Sequence, residues 1–558
     1  MKLTQIDRRM LLLGGTAMAV IAACSPAAEK AAVAPSSDPT LVTTAQGQLR
    51  GKQIDGVYEF LGVRYAQAPV GPLRFQAPKK MEAWQGEVSA TEYGQPAVQM
   101  RTPGSAGAAT YPPVVQAARA EAFASPENTK PAGDEDCLVL NVYCQKTGAE
   151  AGATRPVMVW IHGGGFAYGQ AGTKIYRGHN LAKNHDVVFV GVNHRLNVFG
   201  FLGLDSAGVP GFTGSANAGQ LDIIAALQWV KENIAQFGGD PNNVTIFGQS
   251  GGGAKVSTLL AMPPANGLFH KAIIQSGAGL RSATKEQAAK TAKDLLAKLK
   301  LTPETAAAEL QKVPVETILA AATEIGGGSF RPSVDDLNLP RHPFDPDAPA
   351  QSANIPIMIG FTKDERTLYN VGNEAWFKTT DKDVLAAAER TVKGHGKQLA
   401  AAFKAEYPDY DPKYQLMQVT GTYGSLSSHH TLASRKAAQP AGVYAYVFAH
   451  DIPPQDFVLK APHTSEIAYV MDNVAEAPLF AGATPDDIAM GKLMSATWVQ
   501  FAKTGNPNGA AGLPEWPKFA SDARPTMFFQ KETKVVDKPF EAVWQIAQAN
   551  PNANASPI

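Results

Sequence analysis

The sequence predicts an α/β fold, with one large and mainly parallel sheet flanked by helices, and three observations carry that prediction. Val157–Ile161 (VMVWI) and Val187–Val192 are continuous apolar runs of buried-strand type, and Val244–Phe247 is a short β-branched and aromatic run that reads as another strand. Between the last two, Ile223, Leu227, Val230 and Ile234 step by four, three and four, which places them on one face of a helix. Later runs, Ile273-Ile274, Ile355–Ile359 and Tyr444–Phe448, extend the same alternation of strand and helix. Residues 40–90 mix short strand-like runs with turns, and residues 282–325, rich in Ala, Leu, Lys and Glu, read as helical.

At 558 residues the chain exceeds the usual single domain, yet no Pro/Ser-rich linker divides its middle. Residues 40–545 are therefore read as one domain and residues 546–558 as a disordered tail. Fifty basic residues balance fifty acidic ones, which gives no support to nucleic-acid binding. Lys2, Arg8 and Arg9 precede an apolar run, Met10–Ala23, too short to span a bilayer comfortably but suited to a signal peptide over residues 1–24. Arg8-Arg9-Met10-Leu11-Leu12 resembles a twin-arginine export signal, and Ile21-Ala22-Ala23-Cys24 looks like a bacterial lipobox. The expectation is an exported, periplasmic or cell-envelope protein. Cys24 would be its lipidated first residue and residues 25–39 a flexible tether, so membrane contact would come only through that anchor. An ordinary cleavage site with Cys24 incidental is the alternative.

Chemistry concentrates in Gly248-Gln249-Ser250-Gly251-Gly252, a G-x-S-x-G pattern that follows a strand-like run and precedes a helix-compatible one. Glycines beside so sharp a turn leave the Ser250 hydroxyl exposed and the Gly251 N–H at a helix N-terminus. Upstream, Val157–Ile161 runs into His162-Gly163-Gly164-Gly165-Phe166, where the unshielded N–H groups of Gly164 and Gly165 suit a tetrahedral oxyanion. A glycine-rich turn chosen only for tightness is the competing reading. A serine hydroxyl needs a base, and the base needs an orienting acid. His463 follows the last long apolar run by a loop. Glu365 and its neighbour Asp364 follow Ile355–Ile359, between serine and histidine in chain order. His429-His430 has no further ligand at metal spacing and reads as structural or solvent-facing, so neither metal nor cofactor is expected. Cys137 and Cys144, seven apart along one apparent strand, should point to opposite faces and stay unpaired.

With these residues in view the chain resembles the type B carboxylesterases, an α/β-hydrolase branch that includes cholinesterases and para-nitrobenzyl esterases. The matching stretches are Phe60–Tyr65, Pro69–Phe75, Glu135–Val142, His162–Phe166, Asn233–Pro241, the elbow itself, Phe330–Asp335 and Trp498–Asn508. The resemblance implies an α/β-hydrolase fold with a small N-terminal sheet and helical insertions at a gorge mouth. It implies Ser250 as nucleophile, His463 as base at the family's His-x-x-Glu position, and Glu365 rather than Asp364 as the acid. Gly164, Gly165 and Gly251 would form the oxyanion hole, and Ser276 matches a supporting position near the triad. The implied reaction is hydrolysis of a small-molecule carboxylic ester through an acyl-enzyme; oligomeric state is left open. Transfer to another acceptor, amide cleavage, and a non-catalytic binding role on the same fold are the other classes.

Several positions depart from the family. Relatives pair the cysteine at the Cys137 position with one upstream, but Gln95–Gln99 holds none, so the stretch from Gln99 to Gly133 is expected to be an unstapled, mobile loop. Gln249 replaces a glutamate common before the serine, and the same loop holds no tryptophan, which disfavours cholinesterase activity. Arg331 and Arg366 stand where small residues are usual. Recognition of a carboxylate-bearing ester is one reading of them, and solvated surface charge the other.

Overall fold

The computed structural model describes residues 38–100, 111–148, 154–454, 456 and 458–551. The export segment, Cys24 and most of the tether lie outside the described residues. In chain order the strands are β1 (Leu41–Thr43), β2 (Gln48–Arg50), β3 (Lys52–Ile54), β4 (Val57–Arg64), β5 (Glu87–Ser89), β6 (Val139–Cys144), β7 (Arg155–Ile161), β8 (Val188–Val192), β9 (Gly239–Gln249), β10 (Lys271–Gln275), β11 (Ile357–Thr362), β12 (Val443–Phe448), β13 (Thr526–Phe529) and β14 (Lys534–Val536). β1, β2 and β5 form the small sheet. The other eleven form one sheet in the order β14-β13-β12-β11-β10-β9-β7-β8-β6-β4-β3.

From β8 across to β13 every neighbouring pair is parallel, whereas the outer pairs are antiparallel. The sheet is thus mixed, parallel only in its centre. One edge is antiparallel because β3 and β4 are joined by Asp55-Gly56, both at positive φ (48° and 84°), the geometry a tight hairpin turn requires. The strand order reverses beside β7, whose neighbours are β8 on one side and β9 on the other. In open α/β sheets the crevice beyond the carboxyl ends of the strands at such a point is where ligands bind.

The central strands are buried on both faces. Val157, Val159 and Ile161 pack with Ile223, Leu227, Val230 and Ile234 of the helix Ala218–Asn233, as their spacing predicts. Met158, Trp160, Phe247 and Ile273 face the other way, onto a core that includes Met494 and Trp498 of the helix Pro485–Thr504. Residues 282–325 hold the helices Lys285–Lys298, Pro303–Glu309 and Val315–Ile325.

Three expectations need correction. Cys137 and Cys144 are both free and buried, but Cys137 lies in a turn before β6, and both join the same core rather than opposite faces. The stretch after Gln99 is not simply open loop. Residues 101–110 lie outside the described residues, and Pro113–Ala122 is a helix that buries Val115, Ala118 and Ala122, with Phe123 packed edge-on against Phe480 at 5.5 Å. The body also runs past residue 545, because the helix Glu541–Ala549 buries Val543, Trp544 and Ala547. Among the described residues no helix is long and apolar enough to cross a membrane.

One buried ion pair ties the loop after β8 to a flanking helix. Arg195 donates from Nε and from its backbone N–H to Asp222 Oδ2 (2.8 and 3.0 Å) and from Nη2 to Oδ1 (2.7 Å), with both residues buried. Removing one partner leaves an uncompensated charge in the core. Asp222→Ala is expected to lower the free energy of unfolding by about 3–5 kcal/mol, read from the midpoint of urea denaturation.

Candidate active site

The elbow forms because β9 and the helix Gly251–Leu259 must turn within one residue. That residue, Ser250, sits at φ 58° and ψ −126°, a conformation that persists only where its surroundings hold it. Its N–H donates to Gln275 O (2.8 Å) and its carbonyl accepts from Ala254 N (3.0 Å). The flanking glycines are required by contact: a Cβ on Gly248 or Gly252 would overlap the Ile161 carbonyl oxygen at the end of β7, and one on Gly251 the backbone of Gly165. The loop after β7 is equally constrained. Gly164 and Gly165 take φ of 91° and 63°, and the Gly164 carbonyl accepts from Ala167 N and Tyr168 N, both at 3.2 Å. The N–H groups of Gly164, Gly165 and Gly251 donate to no protein acceptor among the described residues.

Glu365 follows β11, and His463 follows β12 by a loop. Asp364 joins them: its N–H donates to Ala461 O (2.9 Å), and its Oδ2 accepts from Ala461 N (3.2 Å). Thr367 Oγ1 donates to Leu459 O (2.6 Å) in the same seam. Asp364 Oδ1 is further occupied by Tyr410 Oη and Gln418 Nε2, both at 3.0 Å. Asp364 is therefore a structural clamp, and its neighbour Glu365 is the carboxylate that reaches the imidazole, hydrogen-bonding His463 Nδ1 through Oε2. Glu365 Oε1 accepts from Thr362 N (3.1 Å). Ser276, at φ 47° just past β10, is buried with no aligned hydrogen bond for its hydroxyl, though it lies near enough to lower the Glu365 pKa.

Ser250, Ser276, Glu365, Tyr369 and His463 line one cavity of ≈ 1190 Å³. No hydrogen bond joins the Ser250 hydroxyl to His463; the imidazole instead has the Gln249 amide nitrogen 3.4 Å from Nδ1 and 3.3 Å from Nε2. Such contacts are commonly long without substrate and tighten in the complex. Burial pushes His463 down, but the charge and hydrogen bond of Glu365, with help from Glu466, hold it above its ordinary value. Burial likewise raises Glu365, and His463 outweighs this to keep the carboxylate below its usual range. Glu466 is pushed up to about 7 by burial first and Glu365 second. His429 and His430 are buried, pushed down by burial to about 4 and about 3, and among the described residues no cluster of three or more ligands could hold a metal.

The family model described as "Carboxylesterase family" matches residues 38–546. The chain belongs to the carboxylesterase family. This carboxylesterase is 34% identical over 522 residues to the para-nitrobenzyl esterase of Bacillus subtilis (strain 168), covering 89% of this chain and 96% of that protein. It is 32% identical over 494 residues to the phenmedipham hydrolase of Pseudarthrobacter oxydans, covering 86% and 92%. Among solved structures, the Geobacillus stearothermophilus carboxylesterase EST55 at pH 6.2 superposes with a TM-score of 0.76 at 35% identity, over 91% of this chain and 99% of that one. The fold is accordingly that of the α/β-hydrolases.

Sequence reasoning missed Lys255. It is fully buried, and its ammonium donates to His162 O (3.2 Å) and Gly165 O (3.0 Å) with no carboxylate partner among the described residues, so it grips the glycine loop from behind. The available signal was a lysine in a helix whose other residues, Gly251–Leu259, are small or apolar and all buried. Burial pushes Lys255 down to about 7, whereas an unfolded lysine keeps its proton to roughly pH 10. Between those values the unfolded chain binds the extra proton, so stability rises with pH across that window. The increase in urea midpoint from about pH 7 to about pH 9 is expected to be smaller in Lys255→Met than in the parent protein.

Proposed function

We propose that the carboxylesterase hydrolyses small-molecule carboxylic esters through an acyl-enzyme on Ser250. His463 takes the hydroxyl proton as the oxygen attacks the ester carbonyl, and Glu365 holds the imidazole tautomer and stabilises the cation. The N–H groups of Gly164, Gly165 and Gly251 receive the negative charge that forms on the carbonyl oxygen. Collapse of the tetrahedral intermediate expels the alcohol, which takes its proton from His463. Water, activated by the same imidazole, then releases the acid.

The observation that carries the reading is the His463–Glu365 hydrogen bond lining the same cavity as Ser250, beyond the carboxyl ends of β9, β11 and β12. Gln249 fits it as well: a neutral amide against the imidazole adds no further carboxylate to a site that already holds Glu365 and Glu466. Ser276, near enough to Glu365 to lower its pKa, supports the acid in this reading.

Ser250→Ala is expected to lower kcat for para-nitrophenyl butyrate by about 10⁴-fold or more. Glu365→Gln tests the acid–base assignment. The base must be neutral to act, so the acid limb of kcat/KM follows the His463 pKa, which Glu365 holds up. Without that carboxylate the limb should move to lower pH while kcat falls by about 10⁴-fold. An acid limb that stays in place would remove His463–Glu365 from the mechanism.

A further inference from the structure

The whole chain is electrically balanced, but its cavity is not. Five guanidinium groups, those of Arg281, Arg331, Arg366, Arg390 and Arg435, line it against two carboxylates, Asp345 and Glu365. Glu365 is already committed to His463. Asp345 is committed to Arg281 (2.5 Å) and Arg435 (3.0 Å). Arg390 lies in the last turn of the helix Asp381–Thr391, where its charge favours the helix carbonyl end. Arg331 and Arg366 have no carboxylate partner among the described residues.

Arg331 is placed differently from a solvated surface arginine, whereas Arg366 is exposed at the cavity wall. Arg331 is half-buried, and its Nε is fully buried without a hydrogen-bond partner. Burial pushes it below its ordinary value with no anion to offset the effect. Arg366 directly follows Glu365 in the chain, and its charge reaches His463 and opposes the pull of the carboxylate on the imidazole. A guanidinium drawn partly out of water without a counter-ion is costly, and a carboxylate that matches its planar fork relieves that cost.

We propose that this cavity selects esters bearing a free carboxylate, with Arg331 and Arg366 taking the charge while Ser250 attacks the neutral ester group. The proposal rests on the ester-hydrolase reading of Ser250. The carboxylate can belong to the acyl or to the alcohol portion, and the two cases are separable. Para-nitrophenyl hydrogen succinate against para-nitrophenyl butyrate places it on the acyl side. Para-acetoxybenzoate against its methyl ester places it on the alcohol side.

The readout is the ratio of kcat/KM for the charged over the neutral member of each pair. In at least one pair the parent ratio should exceed unity at low salt and fall as NaCl is raised from about 20 to about 500 mM. Arg331→Gln/Arg366→Gln should lower that ratio by about 10- to 100-fold, mostly through KM. A ratio that is insensitive to salt in the parent protein and unchanged in the double variant, in both pairs, overturns the proposal while leaving ester hydrolysis intact. Failure to cleave any of the four esters would sink the hydrolase reading instead. In that event calorimetric titration of the Ser250→Ala protein with the same charged and neutral esters still decides the charge selection: preferential binding of the charged member supports it, and equal or absent binding refutes it. The salt dependence needs no variant, so a double variant that fails to fold leaves the test standing.

Discussion

The close approach of two backbone segments at the carboxyl ends of β7 and β9 is the constraint on which the rest of this structure depends. Gly248, Gly251 and Gly252 lie so near the carbonyl of Ile161 and the backbone of Gly165 that no side chain fits between them. That contact lets a nine-residue helix start one residue after an eleven-residue strand, with Ser250 held in a strained conformation at the junction. It also brings the glycine loop after β7 against the elbow, where a Cβ on Gly163 would lie 3.4 Å from Ser250 Cβ. Ser250 and the glycine N–H groups, the proposed nucleophile and anion-binding groups, are therefore positioned by main chain rather than by side chains.

Buried charge completes the arrangement. Lys255 holds the carbonyls of the glycine loop from behind, and the Arg195–Asp222 pair anchors the loop after β8, where His194 stacks on His162 at 4.7 Å between ring centres. On the far side, Asp364 and Thr367 sew the His463 loop onto the turn that carries Glu365. Each of these groups would be costly alone in the interior, and each is held by several hydrogen bonds. Some atoms stay unpartnered: Arg195 Nη1 and Glu466 Oε2 are buried without a hydrogen bond, and the Glu466 carboxyl is pushed up to about 7.

Much of this was legible in the sequence, for identifiable reasons. Apolar runs of strand length and a four-three-four helical spacing are direct consequences of burial on both faces of a sheet, so the central strands and the helix Ala218–Asn233 lie where the pattern puts them. The antiparallel edge was signalled by Asp55-Gly56 and passed over. The choice between Asp364 and Glu365 was not open to the residues alone, since both are carboxylates at one turn; only the placement of Ala461, Tyr410 and Gln418 gives Asp364 a different occupation. Cys137 misled because a turn precedes β6, so strand alternation does not extend back to it. The partners of Lys255, Asp222 and Asp345 come from distant segments, and no local pattern encodes them. Of the cavity arginines, Arg331 and Arg366 stood out by resemblance, whereas the others gather only when a loop and two separate helices meet.

The central claim is that one oxygen, Ser250 Oγ, becomes covalently acylated while the glycine N–H groups hold the adjacent oxyanion. Its most direct measurement is stoichiometric reaction of the full chain with a para-nitrophenyl alkylphosphonate, followed by peptide mass mapping. The account predicts a single equivalent of para-nitrophenolate released and the phosphonyl mass confined to the peptide containing Ser250. A phosphonyl group on another residue, or continued ester turnover by fully phosphonylated protein, would contradict it.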